Sequence, residues 1–464
     1  MTNTHFEPFL HLAGLGDDEA LLAWGGFHFR RADGGSWRLV DDEELPEERR
    51  RGVTGTIGAT SPPYGRAVVE VEREGQTVAR AETSDANWAW VRGLEPDAEH
   101  RYRVVVDGQE WAAGERLDWD AAAGTLAPLG RRYDNRFRTF PAAGDRPPVT
   151  FAVIGDFGVG ILHENDDSGR QLQVARALER AVETHGVRLV LTVGDNVYLG
   201  PEDGVAGSGD EDDDWYASFY EPYRYVVNRV PFFPAIGNHD TSDSEQSDDR
   251  DQLTDNFFLD HRFRREVEEG RASLDPGLFY RFRVGGSLEF VAVDTSVADE
   301  LEGFEHYFQA PEHERWLRDS LLAGEGGPAW LIPFSHHPPF CAGPRHGNTE
   351  PMVEHLVPLF AQAGVRLVLS GHEHNFQYSV VDGIHYVVSG AAGKLRGEAP
   401  DDFGGARTRA WAPEPHFLLV HADEKRIVVD PVGSVDGDGS LRPIELRAPD
   451  GKRVERPLEV SRTP

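Results

Sequence analysis

Five short apolar runs in this chain each stop at a small residue followed at once by a side chain able to bind a metal. Residues 149–154 end in Gly155-Asp156, 188–193 in Gly194-Asp195, and 231–236 in Gly237-Asn238-His239-Asp240. Residues 330–334 end in Ser335-His336-His337, and 365–369 in Ser370-Gly371-His372-Glu373-His374. Apolar runs of this length, bounded by glycine or serine, read as buried strands. One Gly-Asp after a strand means little, and a lone histidine is more often structural. Five in register constrain the chain to layered α/β sheets, in which ligands collect outside the carboxyl ends of the strands. The small residue is expected to let the backbone turn there. Between the first two runs, Leu172, Ala175, Leu178 and Val182 recur at helical spacing over 171–185, and that alternation of strand and helix fits the same class.

The chain before residue 145 has another texture. Residues 67–72 alternate as a half-buried strand should, and 76–81 follow across Glu74-Gly75 as a hairpin partner. Then Leu94, Pro96 and Tyr102 precede an alternating run through Val104, the pattern of a tyrosine corner in a β-sandwich. This stretch resembles a fibronectin type III domain, with 136–140 as its last strand; 25–58, with a mixed-charge patch over 41–51, fits that pattern less well. Residues 141–148, rich in Pro, Ala and Gly, read as a linker. The expected organisation is an all-β sandwich over 1–145 followed by an α/β domain of two packed sheets flanked by helices over 146–464.

Bulk composition excludes several classes. With 464 residues the chain exceeds one ordinary core. Cys341 is the only cysteine, which rules out an intrachain disulfide and thiolate clusters. No apolar run approaches ~18 residues, so no membrane span is expected. The start shows no signal-peptide pattern, which makes a cytoplasmic location the expectation. Eighty acidic residues against 47 basic ones give a formal charge of −33, and only Lys394, Lys425 and Lys452 are lysines. That field should repel nucleic acid and anionic membranes. The acidic stretches 201–214 and 240–251 follow ligand blocks directly and would lie at the site's rim. Oligomeric state is not legible.

Carboxylate, imidazole and amide oxygen without thiolate suit zinc, iron or manganese. Two aspartates and three histidines exceed what one tetrahedral ion needs, so two ions sharing a carboxylate are expected. Gly155-Asp156-Phe157-Gly158, Gly194-Asp195-Asn196-Val197-Tyr198, Gly237-Asn238-His239-Asp240, His336-x-Pro338 and Gly371-His372-Glu373-His374 resemble the five blocks of the calcineurin-like metallophosphoesterases. They are most similar to the purple acid phosphatase branch, because Gly158 stands where the wider superfamily has histidine and Tyr198 replaces it. The resemblance implies that Asp156, Tyr198 and His374 hold one ion, Fe(III), and that Asn238, His336 and His372 hold a divalent partner (Zn, Mn or Fe). Asp195 would bridge. His336 is preferred to its neighbour His337 because the family histidine precedes x-Pro.

The resemblance further implies hydrolysis of a small phosphate monoester by a hydroxide bridging the two ions. His346, ten residues after His336, would protonate the leaving group, and His239 would hold phosphate. Two rivals remain open: a phosphodiesterase of the same fold, acting on cyclic nucleotides or phospholipid, and a non-catalytic binding or adhesion protein. No Gly-x-x-x-x-Gly-Lys, His-Glu-x-x-His or Gly-x-Ser-x-Gly pattern occurs, which removes P-loop hydrolases, zinc peptidases and serine hydrolases.

Overall fold

The computed structural model describes residues 4–31, 35–40, 63–198, 214–240, 248–262, 279–295, 311–322, 327 and 329–462. The mixed-charge patch 41–51 lies outside these residues, as do the acidic stretches apart from their ends. Among the described residues no helix is long and apolar enough to cross a membrane.

The described residues up to 140 form strands joined by turns and loops. Thr4–Leu15 and Glu19–Arg31 form a long antiparallel hairpin, and Glu19–Arg31 also pairs with Trp37–Leu39 and Trp88–Arg92. A second sheet runs Arg136–Arg138, Glu99–Val106, Ala67–Arg73, Gln76–Thr83. In Glu99–Val106 the alternation is carried through, with His100, Tyr102, Val104 and Val106 inside. The region is all-β as expected, but its tyrosine does not make a corner. The Tyr102 hydroxyl donates across 126 residues to the Asn228 carbonyl, at 2.8 Å, and so ties the sheet to the following domain instead of to its own backbone.

Beyond residue 140 the described residues include two seven-stranded sheets flanked by helices. The first runs Phe232–Ala235, Val187–Val193, Val149–Ile154, Phe417–Ala422, Arg426–Val435, Leu441–Pro443, with Leu458–Ser461 also on Arg426–Val435; its first three strands are parallel. The second runs Tyr280–Val284, Leu288–Ala292, Trp330–Phe334, Leu367–Ser370, Ile384–Ser389, Phe376–Val381, Thr408–Ala412, with its second to fifth strands parallel. The sheets pack face to face, Phe151 of one lying edge-on to Phe290 of the other at 5.1 Å. Parallel strands covered on both faces become continuous apolar runs, which is why five of them read so clearly. The helix Asp166–His185 starts five residues before its apolar periodicity, because Asn165 and Ser168 cap it reciprocally.

A helical segment joins the two regions. Tyr216–Tyr220 forms a π-helical turn that leads into the α-helix Glu221–Val227. Its aromatic face packs on the N-terminal hairpin, with Tyr216 5.1 Å from Phe27 and Tyr220 5.5 Å from Phe9. Beneath them Arg224, 1% exposed, donates to Glu7 at 2.7 Å, Glu221 at 2.9 Å and Asp118 at 3.3 Å.

Candidate metal centre

The three parallel strands of the first sheet deliver Asp156, Asp195 and Asn238 at their carboxyl ends, and two parallel strands of the second deliver His336, His372 and His374. The sheets meet there: the His372 amide donates to Asp156 Oδ2 at 3.0 Å. Asp156, Asp195 and His372 take left-handed φ values of 54°, 50° and 71°. Side chains rarely hold that conformation without surrounding constraint, and it clusters at functional sites. The glycines before them were expected to provide the turn, yet among Gly155, Gly194 and Gly371 only Gly194 has a positive φ. Their main service is close approach. A Cβ on Gly371 would stand 2.6 Å from both Asp156 Oδ2 and the Val193 carbonyl, and one on Gly155 2.6 Å from the Ser389 carbonyl.

The donor atoms form two groups. Tyr198 Oη lies 3.2 Å from His374 Nε2 and 3.5 Å from Asp156 Oδ1, and the last two are 3.4 Å apart. In the second group, His336 Nε2 lies 2.9 Å from Asn238 Oδ1, 3.3 Å from Asp195 Oδ1 and 3.1 Å from His372 Nδ1. Asp195 connects the groups, since Asp156, Asp195 and His374 place ligand atoms within 4.8 Å of one another. Ligands about 2.0–2.2 Å from a shared ion sit about 3–3.5 Å from each other, which is the spacing found.

The donors also fit a cation chemically. His336 Nδ1 donates to the Val193 carbonyl at 2.8 Å, so Nε2 of the neutral ring carries a lone pair and points it at Asn238 Oδ1 and Asp195 Oδ1. Turning the Asn238 amide would relieve one of these contacts and leave the carboxylate one. Burial, opposed in part by Asp195, pushes His336 down to about 4. Burial holds His372, crowded by other histidines, and His374, beside Arg396 and Lys394, well below the usual imidazole range. All three imidazoles are thus free of a second proton at neutral pH. Burial and the charge of Asp195 push Asp156 well above the carboxylate range, and burial with both carboxylates does the same to the Tyr198 phenol. Positive charge is what would let these groups ionise together.

Gly158 and Tyr198 are physically coupled. The Tyr198 amide donates to the Gly158 carbonyl at 2.9 Å, and any Cβ at 158 would collide with the Asn196 backbone. The tyrosine strand-end therefore occupies the room that a side chain at 158 would need. His337 is held by Thr295 Oγ1, 3.0 Å from its amide and 3.1 Å from Nδ1, and its ring packs 4.3 Å from that of His372. The two proposed catalytic histidines are at the centre: the His346 ring lies 3.8 Å from that of His372, and the His239 ring 4.6 Å from that of Tyr198. Asn238 and His374, like His239 and His346, are partly exposed while the other five ligands are buried, so the centre opens on one side.

Four supporting residues escaped the sequence reading. Asp240 accepts from the amides of Gly237, Asn196 and Val197 and from Asn196 Nδ2 at 2.7–3.1 Å, stapling together the strand ends that carry Asn238 and Tyr198. Burial and the charge of Asp195 push it up to about 7. Glu373, between the two histidines of its block, pairs with Arg396. Lys394 stands 4.9 Å from the Tyr198 ring centroid. The position of Asp240 at the end of its block, and the scarcity of lysine, were the available signals.

Residues 149–376 match the family model for calcineurin-like phosphoesterases. Tartrate-resistant acid phosphatase type 5 of Homo sapiens is 27% identical over 273 residues, 54% of this chain and 74% of the relative. Purple acid phosphatase 7 of Arabidopsis thaliana is 26% identical over 313 residues, 63% of this chain and 86% of its own. Among solved structures, the purple acid phosphatase PPD1 from yellow lupin (Lupinus luteus) seeds has a TM-score of 0.58 at 15% identity, covering 94% of this chain and 73% of that one. PhoD has a TM-score of 0.60 at 13% identity, covering 96% and 91%. Both likenesses extend over the N-terminal strands as well as the two seven-stranded sheets, and at these identities they establish the fold.

Proposed function

We propose the reaction from one premise: the chain carries a calcineurin-like phosphoesterase domain, a hydrolase domain homologous to the purple acid phosphatases. The proposed activity is hydrolysis of small phosphate monoesters at a dinuclear centre. Asp156, Tyr198 and His374 would hold one ion, proposed as Fe(III). Asn238, His336 and His372 would hold a divalent ion, and Asp195 would be shared. The observation that carries this reading is the second donor group beside the first, with Tyr198 Oη in the first group next to His374 and Asp156.

Bound metal ions would lower the pKa of a water toward 7 and offset charge on the oxygens of an in-line displacement. The remaining work falls to the chain. His336, whose Nδ1 donates to the Val193 carbonyl, presents the Nε2 lone pair to the centre, and His372 and His374 would each offer one ring nitrogen there. Asp195 is oriented by the His239 amide, which donates to its Oδ1 at 3.1 Å. His239, beside Tyr198 on the open side, would bind a phosphoryl oxygen. His346 would carry the proton that the leaving alkoxide needs. The proposed unit boundary, 1–145 against 146–464, separates a region that supports the centre from the one that contains it.

Metal analysis of purified protein, together with rates on phosphate monoesters and diesters, tests this. About two ions per chain and a preference for monoesters are expected. A single ion, or faster turnover of diesters, would remove the dinuclear monoesterase reading and leave the fold assignment in place.

A further inference from the structure

The stretch 372–377 alternates between two tasks. His372 and His374 point to the metal centre, whereas Glu373, Asn375 and Gln377, all fully buried, point to the loop that carries His346. Glu373 Oε2 accepts from the amides of His346 at 2.9 Å and Arg345 at 3.3 Å, and Oε1 accepts from Arg396 Nη1 at 2.7 Å. Asn375 Nδ2 and Gln377 Nε2 donate to the Gly343 carbonyl at 3.3 and 2.9 Å, and Gln377 Oε1 accepts from the Ala342 amide at 2.8 Å. The backbone bends tightly through 372–375, the Glu373 amide donating to the Gly371 carbonyl and the Asn375 amide to the Glu373 carbonyl, before the strand Phe376–Val381 begins. One segment therefore fixes the distance between the ligands and the loop, and no independent element intervenes to let it drift. The Arg396 amide in turn donates to the His374 carbonyl at 2.8 Å, so the cation that holds Glu373 is anchored to the same segment.

We propose that Glu373 is a positioning residue for His346: it sets the imidazole against His372 and thereby places the proton needed by the leaving group. This rests on the reading of His346 as the acid. A buried carboxylate offers only acceptors, and Glu373 uses both oxygens, so its removal strands two loop amides and the Arg396 guanidinium. The loop would then sample other positions and the acid would be absent from the productive one. A displacement of about 1 Å is enough to cost a hundredfold in a reaction that depends on alignment.

The test compares Glu373→Ala, Glu373→Gln and His346→Ala with the wild type in the metal-loaded full chain. Three things are read: metal content, kcat/KM on an alkyl phosphate and on 4-nitrophenyl phosphate, and amide hydrogen exchange of peptides covering 341–348. Glu373→Ala should keep its metal, exchange faster over 341–348, and lower the alkyl-to-aryl rate ratio about tenfold or more, in the direction of His346→Ala. Glu373→Gln keeps one oxygen for the loop amides and should fall between. Adding Glu373→Ala to His346→Ala should then lower the ratio no further, because the two act through one group. Unchanged exchange would overturn the clamp. Faster exchange with an unchanged ratio, or equal losses on both esters with loss of metal, would overturn the link to the acid. If wild type hydrolyses neither ester, the proposed function fails, and the exchange data alone decide whether Glu373 holds the loop.

Discussion

Replacing Arg224 with methionine should destabilise the protein by about 3–4 kcal/mol. The guanidinium is 1% exposed and donates to three carboxylates, those of Glu7, Glu221 and Asp118, whose side chains are 2%, 4% and 7% exposed. Methionine fills the stem's volume, so packing against Phe9 is largely kept and the loss is electrostatic. Breaking a buried pair costs about 3–5 kcal/mol because the remaining charge is stranded. Arg116, 3.4 Å from Glu7, still compensates one of the three, which favours the lower part of that range. For 464 residues melting as one unit, unfolding entropy near 1 kcal/mol/K converts this to a fall in Tm of about 3–4 °C. The deficit should depend on pH. Burial, with Arg224 opposing, pushes Glu221 up to about 7 from 4.5. A carboxyl raised in the folded state binds its proton more tightly there than in the unfolded chain, so stability falls as pH rises between those values. Without Arg224 the folded value rises further and the extra cost is felt above pH 7. Glu7 moves the same way: burial raises it, and His5, Arg224 and Arg116 together hold it below its usual value. Thermal unfolding of both proteins at pH 5.5 and pH 8 should show the larger gap at pH 8. An equal gap at both, or one below about 1 kcal/mol, would refute the argument.

Three further outcomes are expected. Asp195→Ala should lose metal and activity together, since its carboxylate joins the two donor groups; metal analysis with full occupancy would contradict the shared role. His346→Ala should slow alkyl phosphates by about a hundredfold or more and activated aryl phosphates far less, because only poor leaving groups need the proton. Iron-loaded oxidised protein should show a visible phenolate charge-transfer band that Tyr198→Phe abolishes, with weaker iron retention; a colourless active wild type would remove Fe(III)–Tyr198 from the proposal.

The five strand ends were legible because each is local. A strand covered on both faces leaves an uninterrupted apolar run, and the ligands that meet at the centre stand within five positions of its end. Tyr198 was legible only through the resemblance, as the exchange paired with Gly158; the crowding of position 158 against the Asn196 backbone shows in the structure alone. What holds these residues was not legible. Asp240, Glu373 and Arg396 look like ordinary surface charges until their partners, up to 44 residues away, are known. The hairpin of Thr4–Leu15 and Glu19–Arg31 was missed for a different reason. Seven consecutive residues, Leu15 back to Phe9, are buried, because one face meets a sheet and the other meets Tyr216–Tyr220, and that erases the two-residue period on which strand recognition depends. The Tyr102 bond to Asn228 shows the same limit, since a local pattern suggested a local partner and the fold supplied a distant one.

The crowding around the ligand-bearing turns bears on how this protein tolerates mutation. At Gly155 and Gly371 a single methyl group would enter the space of a carbonyl 2.6 Å away, and at Gly390 that of Asp156 Oδ2 at 2.8 Å. Variants at these positions should be lost from a saturation library as completely as variants of the ligands, although the glycines bind nothing. Selection for chemistry and selection for folding cannot be separated there. His346 is different: it sits partly exposed on a loop, and its substitution need not disturb the sheets. A lineage shedding activity would therefore be expected to change His346 early while keeping its glycines, so that a degenerate descendant would still carry the strand-end motifs long after it had stopped turning over substrate.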